Sequence, residues 1–238
     1  ANFRVATERL TASRVYSDLF ISGHKGLDLI RPGTLLVITD ANNFRIIESP
    51  EVAENVRQIS GKIAIIDHHR QTGEYDFEPV MNYIDPSASS AGELVTEMLE
   101  QTENGNDVPG TKLVSDEVAS VILSGIMLDT RDFTLHTGVR TFEAAAYLRR
   151  AGAEASDVKR LFQSSFDQYM ERQKIISSAR NCGQGVIFAI TGEQVDRIAA
   201  AQAADELLSI IGTTASVVAF RSGEHDMAVS ARAAGQVN

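Results

Sequence analysis

A chain of 238 residues with 43% hydrophobic side chains can bury one large core or two modest ones, and its ordinary glycine and proline content excludes a disordered chain. A formal net charge of −10 and an isoelectric point near 5.0 argue against partners such as duplex nucleic acid, whose binding depends on neutralising phosphates. The single cysteine, Cys182, excludes an internal disulfide and a thiolate zinc site; it reads as a small buried hydrophobe in a reducing compartment.

No apolar run approaches the roughly 20 residues of a membrane span, and no signal peptide is visible. The chain begins at Ala1 without a methionine and stops at Val237-Asn238 just after a strand-like segment, so both ends read as cuts through something longer. Residues 34–40 form an apolar run closing on Asp40 and are expected to be a buried parallel strand. A helix over 51–60 follows, then a second buried strand over 63–67, also closing on an aspartate. Strand, helix and strand at this spacing make a βαβ unit. Ser89 or Ser90 can cap a helix to about Glu100, with Ser90 and Glu93 spaced as a capping box. Ser115 opens another helix toward Leu128, and Thr141 begins one stopped by Gly152. Residues 156–180 are polar and helical, and read as a linker between domains. Beyond it the pattern gives a strand over 186–190, an alanine-rich helix over 198–208, and a strand pair, 215–220 and 227–230, turned at Ser222-Gly223-Glu224.

The chemistry lies where the first strands end. Ligands of parallel α/β sheets bind outside the carboxyl ends of the strands, and here two strands end in Asp40 and Asp67, the latter followed by His68 and His69. Carboxylates and imidazoles gathered at such an edge suit a divalent transition metal. The plainer alternative has Asp67 capping a turn and both histidines solvated. An Asp-His-His tripeptide alone is a weak pattern; directly after Ile63-Ala64-Ile65-Ile66, with a strand-end aspartate upstream, it is much stronger.

Residues Ile63 to Arg70 resemble the signature of DHH phosphoesterases, a family that includes exopolyphosphatases, manganese pyrophosphatases, nano-RNases and cyclic-di-AMP phosphodiesterases. The segment 85–93 is similar to the one behind the DHH loop, and Gly125 to Thr130 to the last metal motif. Phe133-Thr134 and the stretch 137–153 resemble the cyclic-di-AMP branch, and 199–208 its DHH-associated C-terminal domain. The resemblance implies an α/β fold: a parallel-sheet DHH domain over 1–155, the helical linker over 156–180, and a smaller, incomplete α/β DHH-associated domain over 181–238. It implies a manganese-dependent hydrolase that opens cyclic di-AMP to linear pApA with two Mn2+ ions. Asp40, His68 and Asp129 match metal ligands, Asp40 bridging both ions. His69 matches the phosphate-facing histidine, and Asp67 the group that orients the pair.

Two departures matter. The family's first motif, a His and two Asp after an early strand, has no match. Gly23 to Asp28 offers His24 and Asp28 but lacks the second aspartate and a strand of its own, so both read as surface residues and the true motif is expected before Ala1. Without it, metal binding and activity should be weak. The glycine-rich motif with His that contacts substrate is likewise expected beyond Asn238. Ser90, at a helix N-terminus, and Arg140 and Arg232, through their guanidinium groups, are candidate phosphate contacts; plain capping and solvated surface arginines are the bland alternatives. His136 and His225 stand alone and read as surface; Tyr83 and Phe133 read as core or pocket wall. The rival functions are a nano-RNase or polyphosphatase of the same family, and a nucleotide-binding regulatory domain that has lost catalysis. A pure interaction module leaves Asp40, His68, His69 and Asp129 without a purpose. The resemblance further implies a cytoplasmic catalytic module, a homodimer as the candidate assembly, and membrane attachment only through segments outside this sequence.

Overall fold

The computed structural model describes residues 7, 10–12, 14–31, 33–47, 49–55, 62–71, 73, 75, 78–105, 112–223 and 226–234. The chain divides into two compact units, Asn2–Phe162 and Gln163–Asn238. The first carries a parallel sheet of β1 (Leu36–Thr39), β2 (Ile63–Asp67) and β3 (Met81–Ile84) in the order β1-β2-β3. Because all three run the same way, their carboxyl ends share one edge. Asp40 follows β1, Asp67 ends β2 and Asp85 follows β3, and the Asp40 and Asp85 N–H groups extend the ladder by donating to the carbonyls of Ile66 and Asp67, each at 3.0 Å.

β2 is buried at all five positions, as a central parallel strand must be. β1 is not the buried strand expected from its apolar run. Among the described residues it pairs with β2 alone and forms the sheet edge, burying Ile38 while Val37 stays 49% exposed. The α-helices of this unit with described bounds are α1 (Gly23–Leu29), α2 (Pro50–Asn55), α3 (Ala91–Gly105), α4 (Asp116–Asp129), α5 (Val139–Arg150) and α6 (Ala155–Leu161). α2 covers the first part of the expected 51–60 helix, whose last five positions lie outside the described residues. Ile66 and Leu94 pack the sheet against α3, and Ala119, Leu123, Ile126, Ala144, Leu148 and Val158 join the helices to one another. α3 can lie close to α4 because Gly92 has no side chain: a Cβ there would meet Ile126 at 3.2 Å.

The expected capping box of α3 is half formed. Ser90 Oγ accepts from the Glu93 N–H (3.1 Å), but the Glu93 carboxylate turns to Ser89, accepting from its N–H (3.2 Å) and its hydroxyl (2.6 Å). Ser115 caps α4 as expected, its hydroxyl accepting from the Val118 N–H. α5 begins at Val139, two residues before the expected Thr141, because the Thr141 hydroxyl accepts from the N–H of Gly138 at the N-cap.

The second unit holds α7 (Phe166–Ser177), β4 (Arg180–Asn181), β5 (Val186–Gln194), α8 (Arg197–Leu208), β6 (Ala215–Arg221) and β7 (Met227–Ala233), with sheet order β4-β5-β6-β7. β5 and β6 are parallel, crossed over by α8; β6 and β7 form the expected antiparallel pair, though Glu224 of its turn, like His225, lies outside the described residues. Alanine lets α8 lie close on the sheet: Ala200, Ala203 and Ala204 are buried with Leu207, Val218 and Phe220.

The 156–180 segment is not a free-standing linker. Val158 and Leu161 of α6 are buried in the first unit, and Ile175 of α7 is buried in the second. The segment is helical as expected, but its polar composition hides the narrow stripe that each of its two short helices buries, and the division falls between Phe162 and Gln163. Cys182 is exposed rather than buried, because it sits in the turn after the two-residue β4.

Ile65 is fully buried at the middle of β2. Ile65→Ala should destabilise the first unit by about 3 kcal/mol through lost burial and a residual cavity, which calorimetry would register as a lower melting temperature.

Candidate metal centre

Asp40 leaves β1 with φ at +59°, a left-handed conformation that aspartate tolerates better than most residues. Asn42, two residues on and buried, donates from Nδ2 to the carbonyl of His69 (2.9 Å) and so ties the loop after β1 to the loop after β2. Asp67 is fully buried. Its Oδ1 accepts from the His69 N–H (3.1 Å) and faces His69 Nδ1 at 2.8 Å; its Oδ2 has no hydrogen-bond partner among the described residues. One donor atom from each of Asp40, Asp67, His68 and His69 lies within 4.8 Å of the others. Asp129, the last residue of α4, enters from the helical side.

His68 Nε2 stands 3.3 Å from Asp40 Oδ1 and 3.9 Å from Asp129 Oδ2, and His69 Nδ1 is 3.9 Å from Asp40 Oδ1. His68 Nε2 is buried without a well-aligned hydrogen bond among the described residues. Donors that share an ion at about 2 Å each lie roughly 3–4 Å apart. An imidazole nitrogen with no hydrogen bond, facing two carboxylate oxygens at those distances, therefore fits a divalent cation. Beside these residues opens a hollow of about 590 Å³ bounded by Asp40, Asp129, Gly92 and Gly125, where the two glycines leave room.

The expected phosphate contacts stand differently. The guanidinium of Arg140, in the first turn of α5, is taken by carboxylates. It donates from Nε and Nη2 to both oxygens of Glu97 (2.7 and 2.8 Å) and from Nη1 to Asp85 (2.6 Å), with Glu93 at 3.8 Å. This fork is the strong bidentate geometry of Arg–carboxylate pairs, and it leaves Arg140 as a brace between α5, α3 and the loop after β3. Ser90 is buried and serves as the half cap of α3. Arg232, on β7 of the second unit, donates to Asp205 of α8 (2.8 Å). Of the four expected substrate contacts, only His69 belongs to the cluster. His24 and Asp28 sit on α1, which buries no residue.

The model of the DHH family, N-terminal domain, matches residues 4–126, more than half of the chain. The chain belongs to the DHH family. It is 37% identical over 220 residues to the cyclic-di-AMP phosphodiesterase GdpP of Geobacillus thermodenitrificans, covering 92% of this chain and 32% of that protein. It is 35% identical over 215 residues to the cyclic-di-AMP phosphodiesterase PdeA of Listeria monocytogenes, covering 89% and 31%. The chain thus spans about a third of the length of these curated relatives. Among solved structures, an exopolyphosphatase-related protein from Bacteroides fragilis superposes with a TM-score of 0.71 at 20% identity, covering 85% of this chain and 59% of that one, a likeness of fold. No helix among the described residues is long and apolar enough to cross a membrane.

The electrostatics of the DHH centre point the same way as its geometry. The polar contact with Asp40 raises the His68 pKa above the ordinary imidazole value; partial burial opposes the rise, and the charges of Asp129, Asp40 and Asp67 reinforce it. Asp129 is raised by burial and by the charge of Asp40, against the pull of the two histidines. Asp40 contributes to both shifts, and its negative charge is one that a bound cation would offset. Away from the cluster, the hydroxyl of Ser87 and then Arg140 hold Asp85 down at about 2.

Two outcomes follow from this geometry. His68→Ala should weaken Mn2+ binding at least about tenfold by calorimetric titration, while Asp28→Ala should leave it unchanged. Because the folded pKa of Asp85 lies below the ordinary carboxylate value, its contribution is complete above about pH 4 and disappears as pH falls through about 2. Asp85→Asn should therefore cost about 1–2 kcal/mol at pH 7, discounted for its partial exposure, with the gap to the unsubstituted protein narrowing toward pH 2 in urea titrations.

Proposed function

We propose that this chain is the catalytic module of a phosphodiesterase that hydrolyses cyclic di-AMP to linear pApA with manganese as its metal. The observation that carries the reading is the buried, unbonded His68 Nε2 facing Asp40 and Asp129 at the carboxyl edge of a parallel sheet. Membership of the DHH family supports a phosphoesterase, and the names of the GdpP and PdeA relatives support the cyclic dinucleotide.

Asp40, His68 and Asp129 would hold the metal. A divalent ion bound there supplies a water of lowered pKa and neutralises charge developing on the phosphoryl oxygens. The remaining work belongs to the chain. Asp67 Oδ1 accepts the Nδ1 proton of His69, which fixes the ring beside the candidate ligands. The Asn42 bond to the His69 carbonyl holds the same residue from the backbone side. In the reaction a water oxygen bonds to phosphorus while the bond from phosphorus to the ribose oxygen breaks, and the leaving oxygen takes up a proton. The open hollow beside Gly92 and Gly125 gives a phosphodiester access to Asp40 and Asp129.

The test is turnover in the natural full-length protein with Mn2+ present, on cyclic di-AMP, linear pApA and pyrophosphate in parallel. Cyclic di-AMP should be consumed and pApA should accumulate. Asp40→Ala should lower kcat/KM by about a thousandfold or more, a loss typical of removing charge stabilisation from the transition state. Turnover surviving in Asp40→Ala would remove the assignment, and cleavage of pyrophosphate alone would remove the substrate.

A further inference from the structure

A second hollow of the first unit, about 570 Å³, lies outside the ligand cluster yet grows from the same chain segments. One wall is the stretch 86–88. It follows Asp85, whose N–H donates to the carbonyl of Asp67. The other wall starts at Phe133, four residues beyond Asp129. At about 3.8 Å per residue, neither wall starts more than roughly 15 Å from a carboxylate of the DHH centre.

The chemistry of this hollow differs from that of the centre. Phe133 and Phe142 lie stacked in its wall, with ring centroids 5.6 Å apart and planes 20° apart, and Phe142 is 57% exposed although it sits on a regular helix. The rim is polar and neutral at its hydroxyls: Ser87, Thr134 and Thr137, joined by His136. Among the described residues no Asp, Glu, Lys or Arg side chain lines it. The exposed, stacked aromatic face suits a flat uncharged ring that stacks by its face and hydrogen-bonds at its edge.

The protein holds this arrangement against local cost. Arg131, Asp132 and Phe133 are left-handed in succession, with φ of 46, 55 and 62°, a conformation unfavourable to residues with a Cβ. Thr130 secures the turn: its hydroxyl accepts from the Phe133 N–H (3.0 Å) and its carbonyl from the N–H groups of Thr134 and Leu135 (2.8 Å each). Arg140 fastens the two walls together. It stands on α5 two residues before Phe142 and donates across to Asp85 and to Ser87 Oγ (3.3 Å).

We propose that this hollow binds a purine base of the nucleotide whose phosphate lies at the DHH centre, with Phe142 as the stacking face. The proposal rests on the phosphodiesterase reading and adds to it the site of base recognition.

The experiment is calorimetric titration of the Mn2+-loaded natural protein with AMP and with ribose 5-phosphate, which differ by the base alone. The unsubstituted protein should bind AMP at least about tenfold more tightly, within the range of base–aromatic stacking. Phe142→Ala should abolish most of that preference and leave the affinities for ribose 5-phosphate and Mn2+ unchanged, while Phe142→Tyr should keep it. Phe142→Leu, which retains apolar bulk without an aromatic face, should behave as Phe142→Ala even if the alanine variant folds poorly. A preference for AMP that survives in Phe142→Leu, or equal weakening of both ligands, overturns the base site while leaving the phosphodiesterase reading intact. If the unsubstituted protein binds Mn2+ and neither ligand, the failure belongs to the phosphodiesterase reading, and the base site falls with it.

Discussion

The first unit is organised around one costly group, the carboxylate of Asp67. It lies fully buried at the end of a strand that is itself buried throughout, with one oxygen on His69 and the other without a partner among the described residues. A buried carboxylate is tolerated only where its charge is matched. The match here comes from imidazoles at the next two positions, which gather against Asp40 and Asp129 from other parts of the chain. The parallel sheet makes the gathering possible, because β1, β2 and β3 deliver their aspartates to a single edge. The spacing of these donors is the physical reason for assigning a cation to the cluster.

A second polar assembly supports the first from behind. Arg140 joins the start of α5 to Glu97 of α3 and to Asp85, and Asp85 is backbone-bonded to Asp67. Glu93, buried on the same face of α3, holds Ser89 in place through both its N–H and its hydroxyl. Three carboxylates around one guanidinium fix the loop after β3 relative to two helices. The strained turn after Asp129 is fixed separately, through Thr130. Both walls of the aromatic hollow thus descend from elements that also position the candidate ligands.

The sequence made the centre of this picture legible because its signal is local. An apolar run ending in Asp67-His68-His69 can be read without knowing its neighbours, and so can the strand end at Asp40. Asp129 came from resemblance to a family motif, not from any pattern in its helix. What stayed hidden depends on pairing over long range or on backbone geometry. Arg140 looked free for phosphate because its partners lie 43 and 55 positions away in sequence. Asn42 drew no notice since a lone asparagine after a strand carries no signal, yet it holds His69. The apolar run of β1 promised burial, but burial depends on neighbours, and β1 lies at the sheet edge. The polar stretch 156–180 was legible as helical, but not the burial of its two helices, whose stripes are only one or two side chains wide. The left-handed run at 131–133 occurs without any glycine and so gave no sign in the sequence.

Anomalous diffraction from crystals of the protein grown with Mn2+ tests most directly whether Asp40, His68 and Asp129 share a divalent ion. An anomalous peak within bonding distance of Asp40 Oδ1, His68 Nε2 and Asp129 Oδ2 is the expected result. A map with no peak there, or with manganese held only by residues elsewhere on the chain, would contradict it.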